Sequence, residues 1–359
     1  MNLNIDVRIL EKVHQLKMKK QQIGVIGAGV IGLSSALLIQ ELCPGSEVTI
    51  IADKFSPDTT SDVAGGFWEP HLLGNTPQER IRCWSQATWD HLTALAHSQQ
   101  ASEVGACLVS GYTLSPIKIE RPPHWDQVIG FREVSQEEMT RFPGVKSGFF
   151  YTTVMIEVRN YLPWLMKRFK GRGGKVLQRK ISSLMELSGQ YDIVVNCSGV
   201  EARHLVNDQS VYPVRGQLIR VKAPWLKHFL IVTSENPEFV DGYILPGAQE
   251  VVLGGIEQVG VWDLKHRDAD REYLWKTCTR LLPCLQNAEI VRDWTGLRPV
   301  RTSVRLEVEY LQSDDRSLTV VHNYGHGGSG VTLHWGCAKE VAQLVKREQT
   351  QGRQKLAKL

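Results

Sequence analysis

The feature that most constrains the fold is a set of three glycines, Gly27, Gly29 and Gly32, in "QQIGVIGAGVIGLSSALLIQEL". They separate an apolar segment typical of a β-strand from one typical of a helix. In a dinucleotide-binding turn, the first glycine permits the tight turn, the second lets the backbone approach a pyrophosphate, and the third lets the helix pack closely. The pattern predicts a dinucleotide site. The alternative is an ordinary tight turn between a strand and a helix.

The next apolar strand, "EVTIIAD", ends at Asp53, at the distance along the chain where a dinucleotide-binding fold carries an acid for a ribose hydroxyl. The helix that begins near Gly29 supplies free N–H groups and a positive dipole for phosphates. Because an acid suits a ribose without a 2′-phosphate, the sequence favours NAD or FAD over NADP.

Parallel-type elements at both ends of the chain and antiparallel-type elements in the middle predict an α/β fold with two domains. The N-terminal unit reads strand, helix, strand, and "SLTVVHNYG" reads as a strand before a last helix. From Tyr212 to about Gly260, longer alternating segments such as "VRGQLIRVKAPW" indicate antiparallel strands. We expect a nucleotide-binding domain of residues 21–75, 160–211 and 306–350, a substrate domain of 76–159 and 212–305, and mobile termini at 1–20 and 351–359.

Several helices are predicted from local signals. Thr76, Pro77 and Glu79 read as a helix start, with Thr76 as the cap, Pro77 at the first helical position and Glu79 as the capping-box acid. Further helices are expected in "NYLPWLMKRFKG" and near 268–282.

Composition excludes several functional classes. A net charge of +4 over 359 residues, with scattered bases, gives no reason to expect nucleic acid. The seven cysteines form no Cys-x-x-Cys pair, so we expect reduced, mostly structural thiols in an intracellular protein. No apolar run approaches the length of a membrane helix, and the Lys-rich start lacks the apolar centre of a secretion signal, so we expect a soluble, non-secreted protein.

The last three residues, Ala357-Lys358-Leu359, resemble the Ser-Lys-Leu peroxisomal address. The sequence therefore indicates either import by a peroxisomal receptor or a solvated tail on a cytoplasmic protein. It also leaves a homodimer open.

The segment "NYGHGGSGVTLHWGCA" places five glycines where a helix is expected to start. Glycine weakens a helix but lets backbone lie against a flat ring, with the N–H groups of the helix start pointing at it. His322, His326 and His334 in and beside it have spacings of four and eight. No carboxylate or cysteine completes a ligand set there, so we expect no metal.

Six blocks of the chain carry a family resemblance: "DKFSPDTTSDVAGGFWEPH", "VRGQL", "YILPG", "VVLGG", "GLRPVR" and residues 321–338. In this order they resemble the D-amino-acid oxidase family of FAD flavoproteins, which includes D-aspartate oxidase, and the resemblance covers about Ile23 to Val345. It implies a Rossmann-like FAD-binding domain and a mainly antiparallel α+β substrate domain. It also implies oxidation of a D-amino acid, with hydrolysis of the imino acid and reoxidation of the flavin by oxygen to release hydrogen peroxide.

The resemblance assigns roles to individual residues. Arg298 looks like the arginine that binds the substrate carboxylate, for which a planar guanidinium is suited. Tyr243 looks like the tyrosine whose hydroxyl also touches that carboxylate, and the Gly328 carbonyl is expected to accept from the substrate amine. Without the resemblance, a surface ion pair for Arg298 and a core role for Tyr243 would be favoured.

The resemblance also implies a set of cofactor contacts. A positive helix end near the flavin is expected to stabilise the negative charge that develops there. Trp68 is expected either near the flavin or in the core, and residues 59–61 either near the phosphates or capping a turn. The predicted contacts are Gly27, Gly29, Val30, Ile31, Gly32, Asp53, Lys54, Thr59, Thr60, Ser61, Gly65, Gly66, Phe67, Gly327, Gly328, Ser329, Gly330, Val331 and Thr332.

Substrate choice is where the chain departs from the family pattern. Acid-preferring members carry an arginine just after the "LGG" strand end, where this chain has Glu257, which would repel D-aspartate and could attract D-arginine or D-lysine. Phe239, in a lid expected at 228–243, and the small Ser329 complete the predicted substrate pocket. We expect broad, neutral or basic D-amino-acid preference, with D-aspartate oxidation as the alternative, since "DKFSPDTTSDVAGG" and "YLPWLMKR" look like the acid-preferring branch.

Two hypotheses come from other functional classes. An NAD-dependent dehydrogenase explains the first glycine turn and Asp53 but leaves the second glycine-rich stretch without a use. A catalytically silent nucleotide-binding scaffold is opposed by the presence of Arg298, Tyr243 and Gly328.

Overall fold

The structure is a computed structural model that describes residues 20–233, 242–313 and 315–356. The predicted mobile N-terminal arm, apart from Lys20, lies outside the described residues, as do Phe239 and the C-terminal tripeptide Ala357-Lys358-Leu359.

The described residues form two β-sheets and the helices that cover them. In chain order the strands are β1 (Gln22–Ile26), β2 (Glu47–Ala52), β3 (Ala106–Ser115), β4 (Ile129–Glu133), β5 (Ser147–Ile156), β6 (Lys175–Gln178), β7 (Ile193–Asn196), β8 (Tyr212–Lys222), β9 (His228–Val232), β10 (Gly242–Pro246), β11 (Val251–Gly254), β12 (Gln258–Val259), β13 (Glu289–Val300), β14 (Arg305–Ser313) and β15 (Arg316–Tyr324). The α-helices are α1 (Val30–Leu42), α2 (Thr60–Val63), α3 (Gln78–Ala96), α4 (Ala101–Val104), α5 (Gln136–Met139), α6 (Val158–Gly171), α7 (Ala202–Leu205), α8 (Asp268–Leu281) and α9 (Gly330–Leu356). Short 3-10 helices occupy Leu184–Leu187, Gly199–Glu201 and Pro283–Asn287.

The first sheet has the strand order β14-β15-β7-β1-β2-β6. All its neighbouring strands are parallel except the edge pair β14 and β15. Its central strands β1 and β7 read as apolar runs because both faces are buried, one in the core shared with α1 and α9 and the other against the 3-10 helix Leu184–Leu187. Helix α1 is buried along most of its length, from Val30 to Ile39, because it lies between this sheet and α9. The parallel, Rossmann-like unit predicted from the glycine turn is confirmed.

The second sheet has the order β12-β8-β11-β10-β9-β3-β5-β4, with β13 also paired to β8. Its pairings are antiparallel except β3 with β9, which confirms the mainly antiparallel prediction. A buried cation ties this sheet to the first domain, because the Arg220 guanidinium bonds both the Glu157 carboxylate at the start of α6 and the Ala64 carbonyl after α2.

The start of α3 differs from the prediction. The helix begins at Gln78, with the Pro77 carbonyl accepting the first helical bond from Ile81 N–H. Thr76 does not cap it, since its Oγ1 donates to the Leu73 carbonyl and accepts from Val304 N–H. The local signal identified the right helix but missed a tertiary partner that occupies the hydroxyl.

Three other segments bear on the predicted domain layout. Helix α3, placed by sequence in the substrate domain, packs on α9 within the core of the first sheet. Helix α9 continues to Leu356, so residues 351–356 are helical. The predicted lid, where it is described, consists of β9 and the start of β10, which pair with each other. In the described part of the chain, no helix is long and apolar enough to cross a membrane.

Candidate active site

A cavity of about 1360 Å³ lies where the two sheets meet. Residues at the carboxyl ends of β1, β2, β7 and β15 line one end of it, and residues of β8, β10 and β13 line the other. Carboxyl ends of parallel strands meet at one edge of a sheet, which is the usual ligand position in open α/β sheets. The volume exceeds that of a pocket for one drug-sized ligand, so it accommodates a large cofactor together with a small substrate.

The predicted glycine turn has the close contacts that such a turn requires. Gly27 has a φ of +100°, and a Cβ there would lie 2.4 Å from the Cys197 carbonyl oxygen. A Cβ at Gly32 would lie 2.0 Å from the Gly27 carbonyl oxygen, so the close helix packing depends on glycine. Gly29 precedes the first residue of α1 and, with Val30 and Ile31, lines the cavity, whereas Gly32 supports the turn from behind.

Asp53 and Lys54 line the cavity directly after β2. Thr59, Thr60 and Ser61 line it too, and they also build the start of α2, so the capping interpretation is correct and their contact with phosphates stays a prediction. Ser61 Oγ accepts from the Val30 N–H at 3.0 Å, which joins α2 to the N-terminus of α1 beside the dinucleotide turn.

Gly65, Gly66 and Phe67 line the cavity between its two ends. A Cβ at Gly66 would lie 1.9 Å from the Ile156 carbonyl oxygen, so the segment runs tightly along β5. Trp68 does not reach the cavity, because it is fully buried and its Nε1 donates to the Ser85 carbonyl. Of the two interpretations of Trp68, the core role is correct.

The second glycine-rich segment forms part of the cavity wall with Gly327, Gly328, Gly330 and Val331. Gly327 has a φ of +55°, and a Cβ there would lie 1.9 Å from the Leu72 carbonyl oxygen. Close approach of backbone to backbone therefore requires glycine just before α9 begins at Gly330.

Ser329 and Thr332 are predicted cofactor contacts that lie behind this wall. Ser329 is fully buried, and its Oγ accepts from His71 N–H at 2.5 Å and donates to the His71 carbonyl at 2.6 Å. Thr332 Oγ1 makes the equivalent pair of bonds with the backbone of Glu69. Neither residue is among those that line the cavity, so the structure does not bring the Ser329 side chain to the substrate pocket.

Arg298 and Tyr243 lie at the end of the cavity away from Asp53, each above a glycine of the neighbouring strand. A Cβ at Gly216 would lie 2.4 Å from Arg298 Nη1, and a Cβ at Gly254 would lie 2.3 Å from the Tyr243 hydroxyl. Arg298 Nη1 also donates to the Ile256 carbonyl at 3.1 Å, which fixes the guanidinium. Glycine on the facing strand is therefore what gives each functional side chain its place.

A group of three residues beside Arg298 extends the predicted site: Glu257, which the sequence singled out, and Glu69 and His71, which it did not. His71 Nε2 lies 2.9 Å from Glu257 Oε1, and all three residues line the cavity. The hydrogen bond from His71, helped by the charges of His71 and Arg298, lowers the pKa of the Glu257 carboxyl.

Burial raises the pKa of Glu69 to about 7, although the charge of His71 and a hydrogen bond from Tyr151 lower it. His124 Nε2 lies 3.9 Å from Glu69 Oε1. The signal that could have found Glu69 is its position in "GGFWEPH", three residues after Gly66 of the cavity wall.

The three histidines with metal-like spacing have separate surroundings. His322 contacts Glu309 and Asn196, His334 contacts Tyr161 and the Val331 carbonyl, and His326 lines the cavity. Among residues 20–233, 242–313 and 315–356, no group of three or more His, Cys, Asp or Glu is arranged to hold a metal ion.

The cavity has features that fit a dinucleotide carrying a flat ring. Asn323 Oδ1 and Ser198 Oγ are buried, have no partner in the described protein and belong to cavity-lining residues, so they are free to bond a polar ligand. The backbone at Gly29, which carries no side chain, suits a phosphate. The backbone at Gly328 and the start of α9 at Gly330 suit a flat ring. The fold and site thus define a dinucleotide-binding α/β protein with a small-molecule pocket at the far end of the cofactor cavity.

Comparison with known proteins identifies the family to which the chain is similar. The family model described as FAD dependent oxidoreductase matches residues 22–344. The chain is 45% identical to D-aspartate oxidase from Homo sapiens over 91% of this chain and 95% of that protein, and 38% identical to D-amino acid oxidase from Dugesia ryukyuensis over 90% and 97%. Its fold is similar to the crystal structure of glycine oxidase from Geobacillus kaustophilus, with a TM-score of 0.71 at 19% identity over 91% of this chain and 95% of that one.

The chain belongs to the FAD-dependent oxidoreductase family, and its cofactor is FAD. The prediction of an FAD-binding fold with a second domain is confirmed, and the NAD-dependent alternative is wrong.

Proposed function

We propose that this enzyme oxidises D-amino acids to 2-oxo acids, consuming oxygen and water and releasing ammonia and hydrogen peroxide. The observation that carries the proposal is that Arg298 and Tyr243 line the same cavity as the Gly327–Gly328 backbone. One wall can hold a substrate carboxylate while the other holds a flat cofactor.

The roles of this chain's residues follow from their chemistry. The Arg298 guanidinium, fixed by the Ile256 carbonyl, offers paired N–H donors to the substrate carboxylate, and the Tyr243 hydroxyl donates to the same group. The Gly328 carbonyl accepts from the α-amine, which orients the α-hydrogen without a side-chain base. FAD, when bound, supplies acceptance of the α-hydride and its transfer to oxygen.

The stereochemistry that we propose follows from binding the carboxylate and the amine of the substrate separately. Carboxylate and amine are bound on different walls, so only one enantiomer places its α-hydrogen toward the ring while its side chain enters the remaining space. That space is lined by Phe67, Leu218 and Leu245 with Glu69 and Glu257.

The test is peroxide release by the purified holoenzyme with neutral, acidic and basic D-amino acids and their L-enantiomers. We expect flavin absorbance in the protein and peroxide with D-enantiomers only. Arg298→Met is the matched variant, with expected loss of turnover at retained flavin absorbance. Absence of peroxide with every D-amino acid would favour the silent scaffold, and equal rates with L-enantiomers would remove the stereochemical assignment.

A second candidate, D-aspartate oxidase, is favoured by the 45% identity to the human protein of that name. Glu257 beside Arg298 opposes it, because a second substrate carboxylate would meet negative charge there. The comparison that decides is kcat/KM for D-aspartate against D-methionine in the wild type and in Glu257→Arg. A higher value for D-aspartate in the wild type would establish the second candidate.

For location and partners, the proposal is peroxisomal import through Ala357-Lys358-Leu359, supported by its resemblance to the Ser-Lys-Leu address. A fluorescent protein fused to the N-terminus is expected to co-localise with peroxisomes, and removal of the tripeptide is expected to leave it cytoplasmic. The homodimer stays a prediction.

A further inference from the structure

The substrate end of the cavity holds more negative than positive charge. Its carboxylates are Glu69 and Glu257, and Arg298 is the one Arg or Lys among the described residues that line this end. The other charged lining residues, Asp53, Lys54, Asp58 and Glu201, belong to the dinucleotide end after β2 and beside α7. Once Arg298 binds the α-carboxylate of a substrate, neither glutamate has an Arg or Lys partner among the described residues that line this end.

The two carboxylates occupy different depths of one wall. The side chain of Glu257 is 40% exposed and that of His71 is 53% exposed, whereas Glu69 is 30% exposed and contacts the buried Tyr151. His71 lies between them, bonded to Glu257 and close enough to lower the pKa of Glu69. An apolar stretch formed by Phe67 and Leu245 lines the cavity beside them.

This arrangement matches a side chain with an aliphatic stem and a cationic head. Methylene groups can pack on Phe67 and Leu245 while a guanidinium or ammonium reaches carboxylate oxygens, as long basic side chains commonly do. A buried carboxylate without a cation is costly, and a bound cation removes that cost, so a basic ligand is selected over a neutral one of equal shape.

Resting on the proposed function, we propose that the preferred substrates are D-amino acids with cationic side chains, such as D-arginine and D-lysine, and that Glu69 and Glu257 are the residues that select them. Glu69 is the inner determinant and Glu257, held by His71, the outer one. Neutral D-amino acids enter the same space without that charge interaction.

The test compares pairs of substrates that differ only in charge. D-citrulline has the shape of D-arginine with a neutral urea head. For the wild-type holoenzyme we expect kcat/KM for D-arginine to exceed that for D-citrulline by about tenfold or more, the size of one charge-assisted hydrogen bond. Glu69→Gln and Glu257→Gln should each reduce the ratio, and the double variant should bring it to about one. Glu120→Gln, an exposed carboxylate elsewhere, is the matched control and should leave the ratio unchanged.

A binding measurement separates this inference from the proposed function. The acids 5-guanidinopentanoate and 5-ureidopentanoate lack the α-amine and cannot be oxidised at that carbon, so calorimetric titration of the holoenzyme reports the pocket alone. We expect the guanidino acid to bind about tenfold more tightly, and this difference should disappear in the double variant.

Equal binding of the two acids by the wild type, or a difference that survives in the double variant, would overturn the inference. Peroxide from D-methionine together with equal binding would leave the proposed function in place and remove only the cationic preference. A binding difference without peroxide from any D-amino acid would support the pocket and remove the oxidase.

Discussion

The guanidinium of Arg298 lies directly over Gly216 of the neighbouring strand, where a methyl group would come within 2.4 Å of Nη1. Strands β13 and β8 are paired in register along this stretch, so the position of the glycine is set by the sheet itself. The side chain proposed to bind substrate therefore depends on the absence of a side chain across from it.

Gly216→Ala is expected to displace Arg298 while leaving the fold intact, because the atoms that the new methyl meets are the far end of a long side chain and not backbone. We expect KM for D-methionine to rise about tenfold or more, the usual cost of weakening a charge-assisted pair. Thermal unfolding should change little. The control is Gly171→Ala, where a Cβ would meet nothing within 4 Å. Unchanged KM in Gly216→Ala would mean that Arg298 does not hold the substrate.

The sequence predicted those parts of the site that are local in the chain. Gly27, Gly29 and Gly32 stand in one turn, and the strand and helix around them are identifiable from their apolar periodicity. The roles of Arg298 and Tyr243 came from family resemblance, because a lone arginine in "GLRP" or a lone strand tyrosine carries no signal of its own.

Other parts of the site could not be predicted because they depend on tertiary contacts. Glu69 and Glu257 are far apart in the chain and line one cavity only because the connection between β11 and β12 and the loop after α2 meet there. Ser329 was expected to face the substrate, yet the backbone of His71 holds its hydroxyl behind the wall.

The pH dependence of substrate preference should report Glu69. Its carboxyl is raised to a pKa of about 7, so it is mostly protonated below pH 7 and ionised above. The ratio of kcat/KM for D-arginine to that for D-citrulline is expected to rise with pH between about 6 and 8, since only the carboxylate attracts the cation. Rate assays with both substrates across this range give the profile.

The groups facing Glu69 are His71, His124 and Tyr151. Burial lowers the pKa of His124 to about 4 and raises that of Tyr151 well above its usual value, so both stay neutral over this range. His71→Asn tests whether the pH transition comes from Glu69 or from His71. A transition due to Glu69 persists in that variant and vanishes in Glu69→Gln. A pH profile that is flat in the wild type would contradict the prediction.

Removal of the Arg220 side chain is expected to destabilise the fold strongly. Arg220 is 1% exposed, and its Nη1 lies 3.0 Å from Glu157 Oε1 and 3.6 Å from Glu250 Oε2. Arg220→Met leaves the buried Glu157 carboxylate without its cation, whereas Glu250 keeps Arg292, and the loss costs about 3–5 kcal/mol in the free energy of unfolding. Arg220→Met combined with Glu157→Leu should be less destabilised than the sum of the single variants, as measured by urea unfolding. Additive losses would show that the pair is not coupled.

Asp53 is expected to contribute to FAD affinity through a ribose hydroxyl. It is exposed, lines the cavity after β2, and stands one residue before Lys54. Asp53→Ala removes an ionised acceptor, so we expect the Kd of FAD for the apoenzyme to rise about tenfold or more, with kcat at saturating FAD unchanged because the residue lies at the end away from Arg298. Titration of the apoenzyme with FAD, followed by flavin fluorescence, measures the change.

Asp315→Ala, an exposed acid between β14 and β15, is the control and should bind FAD as the wild type does. An unaltered Kd in Asp53→Ala would show that the ribose is held by other groups, and a fall in kcat at full FAD occupancy would show that Asp53 acts on the substrate end instead.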